Sequence, residues 1–353
     1  MTNVEAVLTL PFDPPIEPML AQLKNDIPRG DQWRYEPKWD GFRALVFFDG
    51  ASAYLQSRDL KPFARYFPEL QAGLEQALPG PMVLDGEIVI VSNDGLDFDA
   101  LLMRIHPAES RVRMLAAGTP SSFVAFDMLA DGDDDLRERP FTERRARLES
   151  ALLKTLKPVY LTPMTPDVEL ASRWFAEFEG AGLDGVIAKR ADEPYRPGAR
   201  AMQKIKHLRT ADCVVGGFRW YKGSEGKAVG SLLLGLYDED GVLHHVGHTA
   251  SFKGPERIEL AQKVAGYITD DKGDGFGGGR TPGTPSRWTG GKDVSWTRLR
   301  PELVCEVSFD HLQGDRFRHA ATFRRWRPDK PPVQCTYDQL EAPVPYALKE
   351  IFA

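Results

Sequence analysis

Lys38 stands in the run Glu36-Pro37-Lys38-Trp39-Asp40-Gly41-Phe42-Arg43. It lies between two stretches of strand character and just ahead of a tight Asp-Gly turn, which holds its amine near a loop mouth. A lysine so placed can attack phosphorus, but only as the neutral amine. Its ordinary pKa is about 10.4, so neighbouring cations or desolvation must activate it. Taken alone, Lys-x-Asp-Gly equally describes an exposed hairpin lysine. Further chemistry-bearing clusters follow in order: Ser57-Arg58-Asp59, Leu84-Asp85-Gly86-Glu87, Phe126-Asp127, Asp184-Gly185-Val186-Ile187-Ala188-Lys189, Gln203-Lys204-Ile205-Lys206 and Arg327-Pro328-Asp329-Lys330. Each has a plain structural reading. Phe126 reads as core, the two later Asp-Gly pairs as turns, Lys189 and Arg190 as the wet end of a strand, and Arg327 to Lys330 as an exposed basic turn.

The elements that must position these residues are mostly strands. Residues 1–30 are Pro-rich and read as an irregular lead-in. The apolar run Ala44–Phe48, the Asp49-Gly50 pair and the segment AYLQSR predict a hairpin. PMVLDGEIVIVS predicts a strand interrupted at Asp85-Gly86, and 123–129 a buried strand. Helical spacing covers Tyr66–Ala77, Thr142–Leu156 with Arg and Glu on its wet face, and Ala171–Gly180. GVIAKR predicts another strand. A boundary falls near Leu208–Asp212, giving domains 1–209 and 210–353. The second half reads as short strands with Asp-Gly turns and one helix (GPERIELAQKVAGYI), fitting a small barrel of the oligonucleotide-binding type. The Gly/Pro-rich stretch 272–286 reads as a mobile loop.

With 353 residues, 42% of them hydrophobic, the chain can form two domains with sizeable cores. No apolar run approaches a membrane span, and the N-terminus does not read as a signal peptide. Cys213, Cys305 and Cys335 are odd in number and widely spaced, which argues against a disulfide framework or a zinc site and for a reducing cytoplasm. The net charge of −6 lies entirely in 1–209, since 210–353 carries 19 basic and 19 acidic residues. Within 311–330 six Arg/Lys (Arg316, Arg318, Arg324, Arg325, Arg327, Lys330) face two Asp. That is a basic strand pair, suited to a phosphate backbone or simply solvated. His244 and His248 have i,i+4 spacing in a strand, which reads as a polar sheet face and not a chelate.

In this order and spacing the six downstream clusters and the Lys38 run resemble the signature of the covalent nucleotidyltransferases: DNA ligases, RNA ligases and mRNA capping enzymes. The resemblance runs from about Trp33 to Lys330. QKIKHLRTADCVVGGFRWYKG, DGVIAKR and FRHAATFRRWRPDK are most similar to small ATP-dependent bacterial DNA ligases of the ligase C type and to the ligase module of ligase D. The resemblance implies an α+β fold: an adenylation (nucleotidyltransferase) domain of antiparallel sheets with helices, followed by an OB-fold β-barrel.

It also implies roles. Lys38 would carry AMP, Glu36 would face the adenine amino group, and Phe126 would stack on adenine. Arg43 and Arg58 would hold ribose or phosphate, and Glu87 the ribose or a metal. Asp184 would help place Mg²⁺ or Mn²⁺. Lys189, Lys204 and Lys206 would neutralise the α-phosphate, and Arg327 and Lys330 would orient pyrophosphate. Two positions depart from the family pattern, which usually has Glu where this chain has Asp184 and often Trp where it has Met202. ATP would be the AMP donor and nicked or broken duplex DNA the partner. A repair role follows by analogy, with a repair polymerase or nuclease as further partner, in a cytoplasmic, nucleoid-associated monomer.

Four rivals differ in specific ways. A capping enzyme would use GTP and an RNA end, and an RNA ligase would prefer RNA ends. An NAD-dependent ligase would carry a nicotinamide-recognising domain and zinc-binding cysteines. A non-catalytic DNA-end binder would not need Lys38, Glu87, Lys204 and Lys206.

Overall fold

The computed structural model describes residues 10–92, 95–207, 209–271, 273, 275–277, 282, 295–310 and 312–340. Most of the 272–286 stretch falls outside the described residues. The chain divides after His207 into two compact units.

The first unit runs β1 (Ala21–Lys24), β2 (Trp33–Pro37), β3 (Phe42–Phe48), β4 (Ala53–Ser57), α1 (Pro68–Ala77), β5 (Met82–Ser92), β6 (Gly95–Leu96), α2 (Phe98–Met103), α3 (Glu109–Gly118), β7 (Ser121–Asp131), β8 (Asp134–Asp135), α4 (Phe141–Leu152), β9 (Val159–Leu161), α5 (Val168–Glu177), β10 (Val186–Arg190) and β11 (Met202–Ile205). Two sheets result. One has the order β1-β11-β10-β2; the other has β4-β3-β5-β7-β8, with β6 and β9 attached to β5 and β7.

The second sheet is covered on both faces, which explains why β3 reads as an unbroken apolar run. Leu45 and Phe47 meet Met202, Tyr195 and the lead-in residues Ile16 and Met19. Ala44, Val46 and Phe48 instead join the core under α1 and α4. The Asp49-Gly50 hairpin forms, with Ala44 opposite Ser57 and Phe48 opposite Ala53.

Several expectations shift. β5 is not interrupted: it continues through Asp85-Gly86, where its pairing with β7 slips by one residue. The reason is that Asp85 is engaged by Arg43 and Tyr195 and is not free to make a turn. The lead-in is not wholly irregular, because β1 pairs in parallel with β11. Helices α2 and α3 had no counterpart in the sequence reading. On α4, Arg144 and Arg145 are buried and not on a wet face.

The second unit runs β12 (Arg209–Trp220), β13 (Val229–Tyr237), β14 (Leu243–Thr249), α6 (Gly254–Ala265), β15 (Thr297–Arg298), β16 (Val304–Phe309), β17 (Leu312–Gln313), β18 (Arg316–Phe317) and β19 (Thr322–Trp326). The order is β14-β13-β12-β16-β19, and a parallel bridge Thr249–Ala321 joins the two outer strands. The Thr249 hydroxyl also accepts from the Phe323 amide at 3.1 Å. The sheet thereby closes into a barrel, with α6 contributing Leu260, Ala261 and Val264 to its core. Cys213 and Cys305 are cross-strand neighbours in that core, and all three cysteines are free thiols. No helix among the described residues is long and apolar enough to cross a membrane.

Candidate active site

Lys38 occupies the crossing between the two sheets of the first unit. It follows β2 of one sheet and precedes β3 of the other, so the strands around it are not a hairpin with each other. Its backbone is pinned on both sides: its amide donates to the Gly185 carbonyl at 2.8 Å, and its carbonyl accepts from the Asp184 amide at 2.9 Å. Both nearby glycines are required by close packing. A Cβ on Gly41 would lie 2.2 Å from the Ile88 carbonyl oxygen. Gly185 has φ +121°, and a Cβ there would lie 2.0 Å from the Ile205 carbonyl oxygen. The Asp-Gly pairs are thus places where one strand end crosses close over another.

A cleft of about 840 Å³, counting its solvent-open mouth, is lined by Glu36, Lys38, Arg43, Arg58, Glu87, Phe126, Lys189 and Lys204 among others. Register explains the convergence. Across the first sheet Glu36 pairs with Ile187, which pairs with Lys204. Across the second, Arg43 pairs with Glu87.

The charges are held by short contacts. Lys38 Nζ and Lys206 Nζ each lie 2.6 Å from Asp184 Oδ2. Burial works to raise the Asp184 carboxyl, but the two lysines outweigh it and hold the carboxyl below the usual range. Burial and the cations Lys206 and Lys38 depress the Lys204 ammonium. Burial pushes Glu87 up to about 8, against the pull of Lys38 and Arg43. Arg43 forms a two-pronged pair with Asp85, at 3.0 and 2.5 Å, and its guanidinium lies 5.4 Å from the centre of the Phe126 ring. Lys189 Nζ donates to the Phe126 carbonyl at 2.9 Å and pairs with Glu36 at 2.8 Å. Arg58 is exposed at the rim.

Arg327 and Lys330 belong to the second unit. There Arg327 grips Asp212 at 2.8 and 2.9 Å and Asp329 at 2.9 Å, while Lys330 lies 3.9 Å from Asp212. His244 pairs with Asp238 at 2.6 Å. A register slip between β13 and β14 puts His248 beside His245 near Arg219 and Arg316, so His244 and His248 do not share one environment.

Three groups escaped the sequence reading. Arg200 lines the cleft, as do Leu20 and Ala21 where the lead-in enters β1, and Arg145 holds Glu36 from behind. The lead-in residues gave no signal because β1 is short and mostly exposed. Among the described residues no three His, Cys, Asp or Glu side chains form a metal cage by themselves. Glu87 and Asp184 are the hard oxygen donors near Lys38, but Asp184 is 2.6 Å from two lysine ammonium groups and Glu87 is pushed up to about 8, so a cation there takes most of its shell from water and phosphate oxygens.

Lys38 is thus pinned at a strand crossing, pairs with Asp184 beside Lys206, and opens on a cleft shared with Lys189, Lys204 and Arg43. Residues 18–206 match the ATP dependent DNA ligase domain, and 225–330 match the ATP dependent DNA ligase C terminal region. The chain belongs to the ATP-dependent DNA ligase family. It is 52% identical over 356 residues to DNA ligase C of Mycobacterium tuberculosis, covering 98% of this chain and 99% of that one. It is 31% identical over 311 residues to the multifunctional non-homologous end joining DNA repair protein LigD of the same species, covering 87% of this chain and 37% of that one. A solved Lig E DNA ligase shares the fold at TM-score 0.54 and 19% identity, over 88% of this chain and all of that one.

Proposed function

We propose that this ATP-dependent DNA ligase works through Lys38, with the first unit as adenylation domain and the second as DNA-binding barrel. The observation that carries this is the position of Lys38: its backbone is fixed by two hydrogen bonds, and its amine sits among Asp184, Lys206, Glu87 and Lys204.

In the first step Lys38 leaves its ion pair with Asp184 and gives up a proton to water. Its nitrogen then bonds to the α-phosphorus of ATP as the α,β phosphoanhydride bond breaks and pyrophosphate departs. Lys189, Lys204 and Lys206 stabilise the charge that builds on the α-phosphate oxygens. Arg327 and Lys330 orient the departing pyrophosphate, which requires the barrel to close over the cleft. In the second step the 5′-phosphate of DNA displaces Lys38 from AMP, with Arg43 and Arg58 holding phosphate or ribose. In the third, the neighbouring 3′-hydroxyl attacks, closing the strand and releasing AMP. Glu36 faces the adenine amino group, and the Phe126 ring stacks on the base. Glu87 and Asp184 would hold Mg²⁺ or Mn²⁺, which supplies charge neutralisation on the phosphates.

The barrel engages the DNA backbone and shape, with little base reading. Repair is the proposed setting, in a cytoplasmic monomer bound at nicks or breaks in the nucleoid, with a repair polymerase or nuclease as partner. The LigD relative named for end joining supports that reading.

The test is labelling with α-labelled ATP or GTP and Mg²⁺ or Mn²⁺, followed by a chase with nicked DNA. The expected outcome is label from ATP, none in Lys38→Ala, and discharge onto nicked DNA. Label from GTP alone would move the protein to the capping branch.

A further inference from the structure

Helix α4 sets two successive arginines behind the cleft. Arg144 grips Asp127, the neighbour of Phe126, at 2.7 and 2.9 Å. Arg145 is fixed by three partners. Its Nε donates to Glu149 at 2.7 Å, one terminal nitrogen donates to the Thr162 carbonyl at 2.7 Å, and the other reaches Glu36 Oε1 at 3.4 Å. The second Glu36 oxygen meets Lys189 Nζ at 2.8 Å. The side chains of Glu36, Arg145 and Lys189 are each no more than 4% exposed. The Thr162 hydroxyl in turn accepts from the Trp39 indole at 2.8 Å, so the same node braces both flanks of Lys38.

Glu36 nevertheless lines the cleft. An ionised carboxylate only accepts hydrogen bonds. Held by Arg145 from behind and by Lys189 on the cleft wall, it offers its remaining lone pairs to the cleft. A purine with an amino group at carbon 6 donates to it. A purine with an oxo group there meets it acceptor to acceptor, which costs the desolvation of both groups. Without Arg145 the carboxyl keeps only Lys189, on its other oxygen, so it can turn about that contact or take up a proton and donate, and so tolerates either base. Burial already pushes the Glu36 carboxyl upward, with Lys189 and Arg145 opposing that push.

We propose that Arg145 is a positioning residue for base selection: by fixing the Glu36 carboxylate it makes the cleft prefer a 6-amino purine over a 6-oxo purine. This rests on the reading of Glu36 as the base contact. Arg145 itself does not touch nucleotide, and Glu149 and Thr162 keep it in place.

The test uses the full chain as wild type, Arg145→Met, Arg145→Lys and Glu36→Gln. Lysyl-nucleotide formation is measured with ATP, GTP and purine riboside triphosphate, which has neither group at carbon 6. In Arg145→Met the KM for ATP should rise about tenfold, the loss of one well-placed hydrogen bond to a charged group. The KM for purine riboside triphosphate and both kcat values should hold, labelling by GTP should increase, and Arg145→Lys should restore part of the preference. KM values do not depend on the folded fraction, so partial unfolding cannot mimic this split. If KM rises equally for ATP and purine riboside triphosphate in both Arg145 variants, Arg145 is merely structural and the proposal is overturned. If Glu36→Gln leaves the preference for ATP over purine riboside triphosphate intact, the base-contact reading fails first and takes the proposal with it.

Discussion

In the first unit three arginines at or behind the cleft end on carboxylates that are themselves out of water: Arg43 on Asp85, Arg144 on Asp127, Arg145 on Glu36. On β19 of the second unit Arg325, 64% exposed, ends on Glu306. The same residue type serves two purposes. Buried pairs cannot be screened or swung away, so they fix geometry, and each partner is costly to lose. Exposed pairs are screened by salt and easily exchanged, so they suit a surface that must meet and leave a polyanion. A ligase needs both, a rigid pocket for one nucleotide and a releasable grip on a long duplex.

The largest contrast should come from breaking one buried pair. Arg144→Met leaves Asp127 charged and buried, and should cost about 3–5 kcal/mol in chemical unfolding of the first unit. A cost near zero would mean that water reaches Asp127 and that the wall is not rigid.

Next in size is Arg327→Ala. It should slow lysyl-AMP formation by roughly a hundredfold, the scale for one lost transition-state donor. Sealing of a nick that already carries AMP should be unchanged. Equal loss in both assays would place Arg327 on DNA throughout and not on pyrophosphate.

Salt comes third. Affinity for nicked duplex should fall about tenfold between roughly 50 and 200 mM salt for every two phosphate contacts. The KM for ATP should change much less. Parallel salt dependence would erase the distinction between the two regions.

Acid should separate the units further. Burial, with Arg316 and Arg219 nearby, pushes His245 in the barrel down to about 3, from an ordinary 6.5. The unfolded chain therefore binds more protons than the folded one between those values, so the barrel loses stability as pH falls from 6.5 toward 3. His245→Gln should flatten that fall in a melting series, and an unchanged slope would assign the acid sensitivity elsewhere. The smallest effect belongs to Arg325→Ala, expected within about 0.5 kcal/mol of wild type in unfolding, as for other exposed pairs.

The candidate lysine and the order of the motifs were legible because they are local: Lys38 with Gly41, Asp184 with Gly185, Lys204 with Lys206. The hairpin at Asp49-Gly50 and the closed barrel followed from strand patterning and turn residues. What stayed hidden depends on partners distant in sequence. Arg144 and Arg145 look like any charged helix face until Asp127 and Glu36, from other strands, arrive against them. Asp85-Gly86 reads as a turn until Arg43 and Tyr195 claim the carboxylate. β1 is an exposed four-residue edge strand with no alternation to betray it, yet it borders the cleft through its pairing with β11.

In the proposed reaction Lys38 carries the AMP, although Lys189, Lys204 and Lys206 stand nearby. The most direct measurement is proteolysis of the protein after brief exposure to ATP and divalent metal at neutral pH, with the AMP-bearing peptide sequenced by mass spectrometry. AMP should appear on Lys38 alone and be lost on adding nicked DNA. AMP on Lys189, Lys204 or Lys206 in the wild-type protein, discharged by nicked DNA, would contradict that assignment.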